Sequence, residues 1–171
     1  MARHVLSILV ENQSGVLSRV TGLFSRRGFN IDSLSVGETE NPEYSRITVV
    51  AQGDDVIIEQ IKKQLEKLVD TKNVIELFPE ESVYRELALI KICAPPSTRS
   101  EITGIVDIFR AGIIDVSREA VTVEITGDSA KISAFRQLME PFGIIEIART
   151  GLTGLQRGEK SIMNFQNKEE N

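Results

Sequence analysis

The feature that most narrows the fold of this chain is an order of local patterns that occurs twice. An apolar, strand-like run, "HVLSILVE" (4–11), precedes Val16, Leu17, Val20, Leu23 and Phe24, which fall at helical spacing. Two more strand patterns follow, "NIDSLSV" (30–36) and "SRITVVAQ" (45–52), divided by the turn residues "NPEY" (41–44). Ile58, Ile61, Leu65 and Leu68 mark a second helix with Asp54 or Asp55 as its cap, and "NVIELF" (73–78) is a fourth strand. After a polar break at 79–82 the order returns. "VYRELALIKICA" (83–94) leads into Ile102, Ile105, Val106 and Phe109, a helix opened by a capping box of Thr98 and Glu101. "IIDVS" (113–117) and "AVTVEIT" (120–126) are strands, Ile132, Phe135, Leu138 and Met139 a helix, and "GIIEIA" (143–148) the last strand. Gly28 and Gly112 are expected to end the first helix of each half, since glycine accepts positive φ. "GDD" (53–55) and "GDS" (127–129) punctuate the two halves alike.

Each half therefore reads βαββαβ. In that order two helices cover one face of a four-stranded antiparallel sheet, the ferredoxin-like arrangement. The expectation is an α+β chain of two consecutive ferredoxin-like domains, 1–79 and 80–158, with a polar tail at 159–171. The whole C-terminal stretch "RTGLTGLQRGEKSIMNFQNKEEN" (149–171) reads as polar and only partly ordered. With no Trp and 5% aromatic residues, the cores must be aliphatic.

Catalytic chemistry is hard to assemble from these residues. His4 is the only histidine and Cys93 the only cysteine, which excludes a Cys/His metal cluster and an internal disulfide. His4 begins a strand without an acid–base partner in sequence and is expected at the surface. Cys93 lies in an alternating strand and reads as a buried small hydrophobe. The carboxylate pairs Asp54/Asp55 and Glu80/Glu81 sit at turns, where capping and solvation account for them. No P-loop is present, and "GLTG" (151–154) is not a dinucleotide fingerprint. The net charge of −5 disfavours a nucleic-acid surface. The strands "SILVE" and "ITVVA" also lack the aromatics on which RNA-binding sheets stack bases. No run approaches the ~18 apolar residues of a membrane span. The N-terminus lacks the pattern of a secretory signal, so a cytoplasmic protein is expected. Binding or assembly remains.

The loop "ENQSG" (11–15) is the candidate for binding. It opens onto a helix N-terminus, where unpaired N–H groups and the helix dipole hold a carboxylate without a basic side chain. The donors would be the backbone around Gly15, Val16 and Leu17. Glycine lets a ligand approach the main chain, and Asn12 offers both a donor and an acceptor, which suits a zwitterion. Leu17 could wall a small aliphatic side chain. The competing reading is ordinary: Asn12 or Ser14 caps the helix and Gly15 eases the turn.

The segment "ILVENQSGVLSRVTGLFSRRGFNIDSLSVG" (8–37) closely resembles the start of the small, regulatory subunits of acetohydroxyacid synthase, also called acetolactate synthase. The likeness continues in order through "SRITV" (45–49), "QIKKQLEKLVD" (60–70), "RELALIKI" (85–92), "GIIDVS" (112–117) and "RTGLTGLQRG" (149–158). The resemblance implies an N-terminal ACT domain, an effector-binding βαββαβ module that works as a homodimer. It implies no catalytic residue, metal or cofactor in this chain. Thiamin diphosphate, Mg and FAD would belong to a separate catalytic large subunit, which this chain would activate. Feedback inhibition would come from valine, leucine or isoleucine held between two ACT domains. Asn12, Gly15, Val16 and Leu17 of one protomer would contact the effector, with Asn30 and Ile31 of the other. Arg149, Gly151, Leu155, Arg157 and Gly158 match the family's C-terminal motif without an assigned role. A stand-alone amino-acid sensor acting on another protein is the alternative, and a small enzyme or a nucleic-acid binder stands further off.

Overall fold

The computed structural model describes residues 2–165, which group as two units: one holds the chain up to Val83 and from Gly151 onward, the other Tyr84–Thr150. The first unit contains β1 (Ala2–Glu11), α1 (Val16–Arg26), β2 (Ile31–Glu38), β3 (Tyr44–Gly53), α2 (Asp55–Glu66) and β4 (Thr71–Glu76). Its sheet runs β2-β3-β1-β4, all antiparallel. The second unit repeats the order with β5 (Ser82–Cys93, which begins just before the boundary), α3 (Arg99–Ile108), β6 (Gly112–Val116), β7 (Ala120–Gly127), α4 (Ser129–Met139) and β8 (Ile144–Arg149). Its strands run β6-β7-β5-β8. Among the described residues no helix is long and apolar enough to cross a membrane.

Each core lies between one sheet face and two helices. Leu6, Ile8 and Val10 of β1 and Ile47, Val49 and Ala51 of β3 meet Val16, Val20, Leu23 and Phe24 of α1 and Ile58, Ile61 and Leu65 of α2. Ala88, Ile90, Ile92, Val121, Val123 and Ile125 do the same with Ile102, Val106, Ile132, Phe135 and Met139. The twin Gly-Asp signals behave alike: Asp54 accepts from Ile57 N–H at 2.9 Å, and Asp128 accepts from Lys131 N–H at 2.8 Å. Each satisfies one of the unpaired donors at its helix start.

The two halves also share a bulge. The β2–β3 register shifts between Ile31 and Ser33, and the β6–β7 register shifts between Ile113 and Asp115. Ile31 and Ile113 are therefore equivalent, and so are Asn30 and Gly112. This corrects the expected helix stop. Gly112 starts β6, and the residue that turns left-handed after α3 is Arg110, at φ 54°. Ala111 N–H then bonds to Val106 O at 3.0 Å, as Phe29 N–H bonds to Phe24 O at 3.1 Å after Gly28. One closure is made with glycine and the other with a strained arginine. The capping box at α3 does not form either: the Thr98 side chain makes no cap bond, and its hydroxyl turns to Pro95 O at 3.5 Å.

Two further expectations change. His4 is buried, with Nδ1 2.7 Å from Glu76 Oε1 and Nε2 3.6 Å from Asp55. Its partners are remote in sequence, so the strand pattern could not reveal them. Cys93 is only half-buried.

The stretch beyond Arg149 departs most from its reading as a polar, partly ordered end. The expected second domain (80–158) and tail (159–171) run across the observed grouping, because residue 151 onward joins the first unit. Residues 166–171 of that tail lie outside the described residues. A strand, β9 (Thr153–Gln156), forms, and Leu152 and Ile162 are buried. This strap lies on the sheet face away from the helices, the face of Val5, Ser7, Leu9, Thr48 and Val50. Leu152 N–H donates to Ser33 Oγ at 2.8 Å, Arg46 Nη1 to Gly154 O at 3.2 Å, and Asn73 Nδ2 to Ile162 O at 2.9 Å. Burial lowers the pKa of the Arg46 guanidinium, with Glu40 opposing the shift. Gly151 has a specific reason: a Cβ there would overlap the Leu34 carbonyl and lie 2.9 Å from Ser35 N.

Gly151→Ala should therefore destabilise the protein by about 1–3 kcal/mol through overpacking. Gly22→Ala, in mid-helix with nothing within 4 Å of the new Cβ, should stabilise it by about 1 kcal/mol. Urea unfolding of both variants checks the pair, and equal shifts would show that the strap does not bear on β2.

Candidate functional site

The entrance to α1 is held by backbone bonds from Glu11 N–H to Asp70 O at 2.9 Å and from Asn12 N–H to Glu43 O at 2.8 Å. Gly15 is the residue at the helix mouth, with φ 84° and ψ −13°. No side chain caps this helix. Asn12 instead donates from Nδ2 to Pro42 O at 2.9 Å and to Glu38 Oε2 at 3.3 Å. The ordinary reading of the loop, a capping Asn12 or Ser14, is thus not what forms, and the first-turn donors lack a side-chain acceptor. Val16 is in the core, so it offers a ligand only its backbone. Leu17 is 40% exposed and available as an apolar wall.

The sequence reading missed a cation at this end. Arg19, one turn into α1, donates from Nε to Asp70 Oδ2 at 2.7 Å. Its Nη1 lies 3.1 Å from where a Cβ on Gly15 would sit. The helix mouth therefore joins a macrodipole to a guanidinium, and both favour an anion. The four-residue spacing from Gly15 to Arg19 places both on one helix face and was readable. The anchoring by Asp70, from a loop 51 residues away, was not. Beside them Lys72 pairs with Glu11 at 2.6 Å. That hydrogen bond is the main cause of a raised Lys72 pKa, so its contribution holds below the ordinary lysine range and fades only above it.

Asn30 and Ile31 lie at the other end of β2. Ile31 pairs with Ala51, whereas Glu38 pairs with Ser45, beside the Glu11–Tyr44 pair next to Asn12. One chain therefore does not bring the six predicted residues together. It carries Asn12, Gly15, Val16 and Leu17 at one end of its edge strand and Asn30 and Ile31 at the other. Next to Asn30 an open cleft of about 330 Å³ is lined by Phe29, Asp32, Gln52, Asp54 and Ile57. Asp32 accepts from Gln52 Nε2 at 2.8 Å and from Asn30 Nδ2 at 3.3 Å. Among the described residues no group of three His, Cys, Asp or Glu is placed to hold a metal.

The second unit does not reproduce these features. Gly112 stands where Asn30 does, and Ile114 where Asp32 does. At the start of α3, Arg99 spends its guanidinium on backbone oxygens, with Nη2 2.8 Å from Ala94 O and 2.7 Å from both Ser117 O and Arg118 O.

Residues 6–73 match the family model of the AHAS small subunit-like ACT domain, and residues 85–158 match that of the small subunit of acetolactate synthase. A probable acetolactate synthase small subunit of Archaeoglobus fulgidus is 54% identical over 158 residues, 92% of this chain and 99% of that protein. The acetolactate synthase small subunit of Bacillus subtilis is 48% identical, covering 91% of each. The crystal structure of the acetolactate synthase small subunit from Thermotoga maritima aligns with a TM-score of 0.87 at 46% identity, over 94% of this chain and all of that one. With its two-unit α+β fold and relatives matched over nine-tenths or more of their length, the chain belongs to the family of acetolactate synthase small subunits.

Proposed function

We propose that this protein is the regulatory, non-catalytic subunit of an acetolactate synthase. In this reading it pairs through its ACT domain, binds a branched-chain amino acid at that junction, and sets the activity of a catalytic large subunit. The thiamin diphosphate, Mg and FAD sit on that large subunit, in the cytoplasm. The observation that carries the reading is the placement of the two half-sites at opposite ends of one edge strand. β2 is the outer strand of its sheet and carries no Pro or Lys to block pairing. Antiparallel pairing of two copies about the midpoint between Leu34 and Ser35 sets Ile31 of one protomer opposite Glu38 of the other. Asn12 is hydrogen-bonded to Glu38, so each helix mouth then meets the Asn30–Ile31 end of its twin. A twofold junction makes two such sites. The effector's carboxylate goes to the α1 mouth and Arg19, and its aliphatic side chain lies against Leu17.

Feedback requires the effector to favour one arrangement of the pair over another, a coupling typically worth ~1–3 kcal/mol. The direct test adds this chain to an acetolactate synthase large subunit and titrates valine, leucine and isoleucine against rate. Stimulation by the chain, reversed by at least one of the three, is expected. No change in rate on adding the chain would turn the reading towards a sensor of another protein.

Gly15→Asp should abolish the inhibition while leaving the stimulation. The left-handed backbone tolerates Asp better than bulky residues, and its carboxylate would lie beside Arg19 in the anion position. An unchanged half-inhibitory concentration would remove the helix mouth from the site. Leu17→Ala should weaken effector binding by about 1–2 kcal/mol with little loss of stability, because Leu17 is not in the core. Calorimetry and thermal melts read the two effects separately.

A further inference from the structure

We propose that Asp32 and Gln52 are positioning residues of the effector site, holding the Asn30 amide so that its carbonyl oxygen receives the effector's ammonium. The proposal rests on the effector reading above. It adds which way round the ligand lies and which residues enforce it.

The argument starts from the bulge in β2. Asp32 is the extra residue where the register shifts between Ile31 and Ser33. A bulge re-aims a side chain that regular pairing would place elsewhere. Here the carboxylate meets Gln52 Nε2 at 2.8 Å and Asn30 Nδ2 at 3.3 Å. An ionised carboxylate only accepts, so both facing groups must be amide nitrogens. That sets the orientation of the Asn30 amide: its nitrogen is turned to Asp32, and among the described residues no donor reaches its oxygen. Asn30 thus presents an acceptor beside a cleft whose lining includes the carboxylates of Asp32 and Asp54 and no lysine or arginine. Such a surface selects a cation. The opposite half-site, the α1 mouth with Arg19, selects an anion. The two ends are complementary to an α-amino acid in one orientation, and the reversed ligand would set its ammonium against Arg19.

The duplicated unit is an internal control. It keeps the bulge but has Gly112, Ile114 and Glu124 at the positions of Asn30, Asp32 and Gln52. The bulge therefore forms without this polar set, and folding alone does not call for it.

The test uses the full chain and two ligands followed by NMR titration, L-valine and 3-methylbutanoate. The second keeps the carboxylate and the branched side chain but lacks the ammonium. Asp32→Ile copies the second unit. It should weaken valine binding about tenfold or more, the size expected for losing a charge-assisted hydrogen bond, and change 3-methylbutanoate binding less than about twofold. Gln52→Leu should shift the ratio in the same direction, and Asp32→Glu should restore most of it. Equal weakening of both ligands would assign Asp32 a merely structural role and overturn the proposal, as would an unchanged ratio in both Asp32→Ile and Gln52→Leu. If the wild-type chain binds no branched-chain amino acid, the effector reading itself fails, an outcome distinct from normal binding with an unmoved ratio.

Discussion

Strand β1 is apolar on both of its faces, and that condition governs the first unit. Leu6, Ile8 and Val10 face the helices; Val5 and Leu9 face away, and all five are buried. A two-layer βαββαβ unit covers only one side of its sheet. The other side would leave Val5, Leu9 and Val50 in water, at about 1.5–3 kcal/mol for each side chain as an upper estimate. That sum is comparable to the whole stability of a small domain. The strap at 151–165 lies on that face, and its bonds to Ser33, Arg46 and Asn73 reach three of the four strands. The cover of this sheet face, its edge strand included, thus comes from residues 89 to 119 positions away.

Where a signal was local, the sequence was legible. Strand alternation, helical spacing and the Gly-Asp turns marked all eight strands and four helices of the duplicated order, with ends displaced by a residue or two. Asp54 and Asp128 cap as their position suggested, because an N-cap needs only the next turn of chain. What failed was non-local or conformational. His4 is buried by Glu76 from β4, and Leu152 and Ile162 look like isolated apolar residues in a polar stretch until the first sheet receives them. Glycine was expected to close α3, yet Arg110 closes it, since the left-handed turn is a cost that packing can cover.

The candidate site was legible in a particular sense. The loop 12–15 attracted attention because an amide and a glycine stood at a helix mouth. The structure removes half of the ordinary explanation: no side chain caps that helix, although Gly15 does ease the turn with its positive φ. Apart from Arg19 itself, the residues the sequence reading missed are supports: Asp70 sets Arg19, and Asp32 sets Asn30. Supports are hard to read because their partners come from other strands and turns, and a bulge displaces the simple alternation that would place them.

The discontinuity of the first unit has a consequence for synthesis. Residues 84–150 form one uninterrupted stretch, whereas the sheet of residues 1–83 waits for the strap. As the chain leaves the ribosome, the amino-terminal unit emerges first but can be completed last. The intervening unit can close while Val5, Leu9 and Val50 still lack their cover. Until residues 151–165 have been made, the exposed strand face and the open β2 edge are together the part of the nascent chain most prone to mispairing.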